Sequence, residues 1–165
     1  MKVLSVQKNS RNCLICGMEN ELGLKAPFYN LEDGSVATIV KFKPNHQSYP
    51  ERTHGGMVGA LLDELMGRVL WATEPDTYGV TTTMTITYRK PTPYDVKLKA
   101  RAIMEHNSKL GFSAKAQLFD MNGVLLVESQ GRYLKLSDKK AFGENAHPDE
   151  EMCYILDKDI EQIDF

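Results

Sequence analysis

The chain has 165 residues, of which 42% are apolar and 25% charged, a balance that fits one globular domain around one core. Its 20 basic and 22 acidic residues leave a formal charge of −2, which excludes general attraction to a polyphosphate backbone, although a local basic cluster could still hold one phosphorylated ligand. No stretch approaches the roughly 18 apolar residues that cross a bilayer, and the opening MKVLSVQKNSRN has no apolar core of signal-peptide length. A cytoplasmic protein that engages neither nucleic acid nor membrane is expected.

Residues 1–31 carry turn formers, among them Asn20, Gly23 and Pro27, with little periodicity, and are predicted to be an irregular lead-in packed over the domain. Within it Cys13 and Cys16 form a CxxC followed by Gly17. That spacing suits zinc when a second ligand pair follows, but no second CxxC or HxxxH is present, and the polar flanks do not supply a thioredoxin-like strand and helix. With Cys153 the cysteine count is odd, against a disulfide framework. The pair is read as two thiols in a partly buried turn, and no metal or prosthetic group is expected.

Residues 35–43 alternate Val36, Thr38, Val40 and Phe42 against Ala37, Ile39, Lys41 and Lys43, the period of a strand. A polar loop with two prolines, residues 44–53, leads into His54-Gly55-Gly56 and a helix predicted over about 57–73. Its residues Val58, Leu61, Leu62, Leu65 and Val69 fall on one stripe, which Met57, Met66 and Leu70 widen, so the helix needs cover. Residues 78–88 form a second strand, whose Thr81, Thr83, Thr85 and Thr87 share a face by alternation. Residues 96–103 put Val96, Leu98, Ala100 and Ala102 inward and Lys97, Lys99 and Arg101 outward. Residues 112–119 and 124–136 are two more strands joined by a tight turn at Asn122-Gly123. From Glu144 onward eight acidic residues face one lysine in a tail with no expected catalytic role. One long helix after the first strand, then four antiparallel strands, predicts an α+β architecture with a curved sheet wrapped around the helix.

Asp63 stands out because its helical neighbours at i−7, i−4 and i+4 are Gly56, Gly59 and Gly67. Two interior glycines, each costing roughly 0.5–1 kcal/mol against alanine, mark a face that a backbone, a partner or a substrate must approach closely. An aspartate on an otherwise apolar helix is costly without a partner, so it is read as functional. Glu64, the rival carboxylate, is accounted for by Arg68 four residues later. At the start of the same helix, unpaired N–H groups beside Gly55 and Gly56 make a place for developing negative charge. His54 there is a base or a structural residue. An amide that steadies an oxyanion and a carboxylate two turns on that attacks or activates water suit thioester hydrolysis.

The run HQSYPERTHGGMVGALLDELMG, residues 46–67, resembles the loop and helix signature of PaaI-like hotdog thioesterases, in which HGG is followed by an Asp nine residues after the His. The likeness extends through residues 83–91 and the later hairpins, covering residues 32–137, with an acidic tail at 138–165. The resemblance implies a hotdog fold in which Asp63 is the nucleophile or general base and the Gly55 N–H polarises the thioester carbonyl. It implies that Thr81 orients the attacking water from a neighbouring subunit. Gln47 and Ser48 match the loop in which relatives carry Asn or Gln; Ser48 departs from that pattern, which leaves Gln47 as the residue to hold the thioester or place water. It also implies a homodimer or a dimer of dimers, a small aryl or short to medium acyl-CoA as substrate, and Arg89, Lys90 and Lys109 as contacts for CoA phosphates. A hotdog module that binds acyl-CoA without turnover is the alternative; an acyl carrier protein as donor would call for a broader basic surface than this sequence has.

Overall fold

The β-branched and aromatic runs of the sequence become one antiparallel sheet, because alternation leaves each strand one apolar face to bury. The computed structural model describes residues 1–75, 77–142 and 147–165, with residues 138 and 139 in backbone only. Its strands are β1 (Val3–Val6), β2 (Tyr29–Leu31), β3 (Val36–Lys41), β4 (Thr77–Tyr88), β5 (Lys97–Asn107), β6 (Gly111–Asp120) and β7 (Leu125–Ser137), in the order β1-β2-β3-β5-β6-β7-β4. The main helix α1 (Gly55–Arg68) lies on the sheet, and a single 3₁₀ turn, Leu70–Ala72, follows it. The predicted helix over 57–73 is therefore two elements.

The core forms where the helix stripe meets the inner sheet face: Val58, Leu61, Leu62, Leu65 and Met66 pack with Val36, Val40, Phe42, Leu98, Ala100, Ala102, Ala114, Ala116 and Leu118. Short alanines on β5 and β6 let the helix sit close, which is how a curved sheet accommodates a helix in its concave face. Gly123 takes a positive φ of 84° in the predicted hairpin. Sheet, helix and meander thus agree with the sequence reading.

The lead-in differs from expectation. Rather than remaining irregular up to residue 31, it adds β1 and β2 to the sheet, with β2 pairing β3 through Tyr29↔Ala37. The acidic tail is tied to the same edge: Lys2 bridges Gln162, Asn9 bridges Tyr154, and Ile163 is buried against Val3, Tyr29, Leu31 and Ala37. Glu144, where the acidic run begins, lies outside the described residues, and the short helix beyond it is Pro148–Glu151.

Burial of the tail also corrects the reading of residues 96–103. Lys99 is buried rather than solvated, because the Phe165 ring covers its ammonium at 5.7 Å, while Val96 lies just before the strand and is exposed. No helix among the described residues is long and apolar enough to cross a membrane.

Candidate active site

His54 ends the loop in an extended conformation, and its ring Nδ1 accepts from the Gly56 N–H at 2.9 Å, capping α1. This gives His54 a structural task. The Gly55 N–H beside it finds no backbone or side-chain acceptor among the described residues, as the first orphan donor of a helix should.

The glycine face is approached by β4 of the same chain. A Cβ at Gly59 would lie 2.9 Å from Ile86 Cδ1, and one at Gly55 would lie 3.2 Å from the Tyr88 hydroxyl, which donates to the Gly55 carbonyl at 2.7 Å. Gly67 has nothing near it and opens on a pocket.

Asp63 faces that pocket, a cavity of about 460 Å³. Two hydroxyls donate to its Oδ1, from Thr81 at 2.7 Å and from Tyr133 at 2.9 Å. Among the described residues no donor reaches Oδ2. One oxygen is therefore pinned and the other is not. Burial, and then the charge of Asp63, push the Tyr133 phenol above its ordinary range, so it stays protonated and keeps donating. Its ring is held by a stack on Phe112, with centroids 4.7 Å apart and planes 9° from parallel. Trp71, Tyr78 and Phe142 continue the wall as two edge-to-face pairs, Trp71 on Tyr78 at 5.5 Å and Tyr78 on Phe142 at 4.9 Å.

Thr81 reaches Asp63 because of a β-bulge. Between Thr81 and Thr83 the register on β7 moves only from Tyr133 to Arg132, so Thr82 is an extra residue and the facing reverses. Before the bulge Gly79 and Thr81 line the pocket, and after it Met84 and Ile86 pack on the core. Thr85 and Thr87 line a separate, polar groove with Lys115 and Glu128. The four threonines do not share one face, and Thr81 donates to the Asp63 of its own chain.

Gly55 borders a second pocket with Tyr49, Tyr88, Arg89, Lys90 and Thr92. Lys90 is exposed there, whereas the Arg89 guanidinium is engaged by Glu128, its Nε donating at 3.1 Å. Gln47 accepts from Tyr94 at 2.8 Å, and the Ser48 hydroxyl accepts from the Tyr49 N–H at 2.6 Å, so both loop residues are tied locally. Lys109 lies in the turn between β5 and β6, apart from both pockets. Asp63 and Thr81 are thus brought together, Gly55 and Lys90 form a second group, and Tyr133 is the partner that the sequence did not reveal.

The same pocket is also lined by Cys13, Cys16, Glu64 and Arg68. Arg68, 3% exposed, donates to Glu64 Oε1 through Nε at 3.0 Å and Nη2 at 2.9 Å, and to the Lys8 carbonyl at 2.6 Å. Its guanidinium lies over both Phe28 and Trp71, at 4.5 and 4.6 Å.

A sheet wrapped on one helix, with a hydroxyl-bound carboxylate in an aromatic pocket beside it, defines a hotdog domain. Residues 52–127, from the loop before α1 into β7, match the family model of the thioesterase superfamily, and the chain has the hotdog fold. A crystal structure of a thioesterase superfamily protein is 25% identical with a TM-score of 0.69, covering 75% of this chain; the chain spans 60% of that protein's length. A Bacillus halodurans protein crystallised with CoA is 25% identical, TM-score 0.60, with 67% of this chain and 74% of the other covered. A phenylacetic acid degradation-related protein from Ralstonia eutropha shares the fold at 19% identity and TM-score 0.61, over 67% and 85% of the two chains. A search of curated proteins returned no match.

Proposed function

We propose that this protein hydrolyses a small aryl or short to medium acyl-CoA thioester, with Asp63 as the carboxylate that drives the reaction. The observation that carries this reading is the asymmetry of that carboxylate: Asp63 lines the cavity, its Oδ1 is held by Thr81 and Tyr133, and no donor among the described residues reaches Oδ2. A base or nucleophile needs such fixed aim. The thioester carbon gains a bond to oxygen, from Oδ2 or from a water it deprotonates. The carbon–sulfur bond breaks: when water attacks, the proton it gives up passes to the leaving CoA sulfur, and when Oδ2 attacks, a water then cleaves the resulting anhydride, freeing the carboxylate and supplying the proton of the CoA thiol. The aromatic wall of Trp71, Tyr78 and Phe142 suits an aryl or medium acyl group, and a cavity of about 460 Å³ falls within the range of small-molecule sites. The Bacillus halodurans relative, solved with CoA, supports CoA as the carrier.

Gly55 precedes Asp63 by eight residues, about 12 Å along a helix axis, too far for both to meet one carbonyl within one chain. In this reading a second copy of the chain supplies the Gly55 N–H. The unpaired edge of β4, the last strand of the sheet, is the natural place for two copies to join, as a dimer or a dimer of dimers. Lys90, beside Gly55, then meets the CoA phosphates.

Release of CoA thiol from phenylacetyl-, benzoyl-, hexanoyl- and palmitoyl-CoA tests the proposal. The first three are expected to be cleaved and palmitoyl-CoA poorly. Binding of all four with no thiol released would instead establish a CoA-binding module. Tyr133→Phe keeps the stack on Phe112 and removes one hydroxyl from the carboxylate, so kcat is expected to fall about tenfold, the scale of one hydrogen bond to a charged group. An unchanged kcat would remove Tyr133 from the mechanism.

A further inference from the structure

The CxxC of the lead-in is not an isolated turn, because folding carries it against the residue next to Asp63. Cys13 Sγ, Cys16 Sγ and a Glu64 carboxylate oxygen lie within 4.8 Å of one another. Cys13 Sγ is 3.7 Å from Glu64 Oε2, and Arg68 takes Oε1, so the carboxylate presents its free oxygen to the thiols.

We infer that Cys13, Cys16 and Glu64 bind a divalent cation of the zinc type, fixing the lead-in to α1 beside the Asp63 pocket. The turn has the form this needs. The Ile15 N–H donates to Cys13 Sγ at 3.3 Å and the Gly17 N–H to the Cys13 carbonyl at 2.8 Å, which wraps the backbone around the first sulfur. The wrap is tight enough that a Cβ at Gly17 would come within 2.3 Å of the Cys13 oxygen, so only glycine closes it. The Ser10 hydroxyl lies 3.2 Å from Cys16 Sγ and can support the second sulfur. Arg68 on the far oxygen of Glu64 is the outer partner that orients a carboxylate ligand.

The charges close as well. Two thiolates and a carboxylate carry three negative charges, and zinc with the Arg68 guanidinium carries three positive ones. Tetrahedral zinc holds N, O and S donors about 3.3–3.8 Å apart, so closure takes roughly an ångström of side-chain movement. All three ligands line the Asp63 cavity, so the fourth position faces it.

The site does not depend on the hydrolase reading, and the test keeps the two apart. Zinc in the purified, dialysed protein is measured by mass spectrometry, and Co²⁺ is then added to chelator-treated protein to read the thiolate-to-cobalt absorption. The wild type is expected to hold one zinc per chain and to develop that band, and Asp63→Asn and Cys153→Ser to do the same. Cys13→Ser with Cys16→Ser is expected to lose both signals. Glu64→Gln is expected to weaken zinc binding by about 10–100-fold, the cost of disturbing the ligand shell. Circular dichroism confirms the fold of each variant. A wild type that takes up neither metal, or one in which Cys13 and Cys16 are found as a disulfide, overturns the inference, as does full zinc in the doubly substituted protein.

Discussion

Asp63→Asn is expected to lower kcat for CoA-thioester hydrolysis by about 10²–10⁴-fold, the usual worth of a positioned acid–base group. Asparagine has the same shape, and its carbonyl oxygen can still accept from Thr81 and Tyr133, so the local geometry survives. What is lost sits at the other position, where a neutral amide replaces the oxygen that takes a proton or attacks carbon. KM is expected to change little, because the aromatic wall that receives the acyl group is untouched. Steady-state kinetics with the substrate cleaved best, alongside thermal unfolding of both proteins, separates this from misfolding. A variant with wild-type kcat would remove the carboxylate from the chemistry.

Arg68→Ala is expected to cost about 3–5 kcal/mol, because it leaves Glu64 partly buried without its partner. Helical spacing alone suggests an exposed i, i+4 pair worth about 0.3–0.5 kcal/mol. The structure describes something else: the guanidinium is buried between Phe28 and Trp71, bonded to Glu64, and ties the Lys8 carbonyl of the lead-in to the helix. For a domain of this size the loss corresponds to a drop in Tm of about 6–20 °C. Thermal melts of both proteins with chelator present measure it free of any metal contribution. A loss under about 1 kcal/mol would mean that the pair behaves as a solvated one.

Where the sequence was legible, the physical signal was long and regular. The helix stripe from Val58 to Leu65 and the strand patterns of residues 35–43, 96–103, 112–119 and 124–136 are each long enough to mark an element, and each strand pattern overlaps one of the observed strands. The two short strands β1 and β2 span four and three residues, too few for a period to show, so the lead-in reads as irregular until pairing partners are known. Lys99 reads as a surface cation because nothing local foretells that Phe165, far along the chain, will cover it.

The site divides in the same way. Asp63 is legible because glycines on its own helix face mark it, a local pattern. Thr81 is identified by resemblance, yet its facing is set by the bulge at Thr82, which alternation cannot foresee. Tyr133 is one of seven tyrosines, and only the fold brings it to Asp63. A faint cue existed: Gly79 and Gly131, small residues in strands, leave room for the Phe112 and Tyr133 rings, at 2.7 and 2.8 Å from where a Cβ would be. Glu64 was explained by Arg68 at the level of the helix, which hid its other face toward Cys13.

The most direct test of the central claim is a crystal structure with a non-hydrolysable phenylacetyl-CoA analogue, a ketone in which a methylene replaces the thioester sulfur. The expected result is a carbonyl carbon about 3–3.5 Å from Asp63 Oδ2 or from a water bonded to it, with the ring against Trp71 and Tyr78. An analogue whose carbonyl lies out of reach of Asp63 in every copy of the chain would contradict the account.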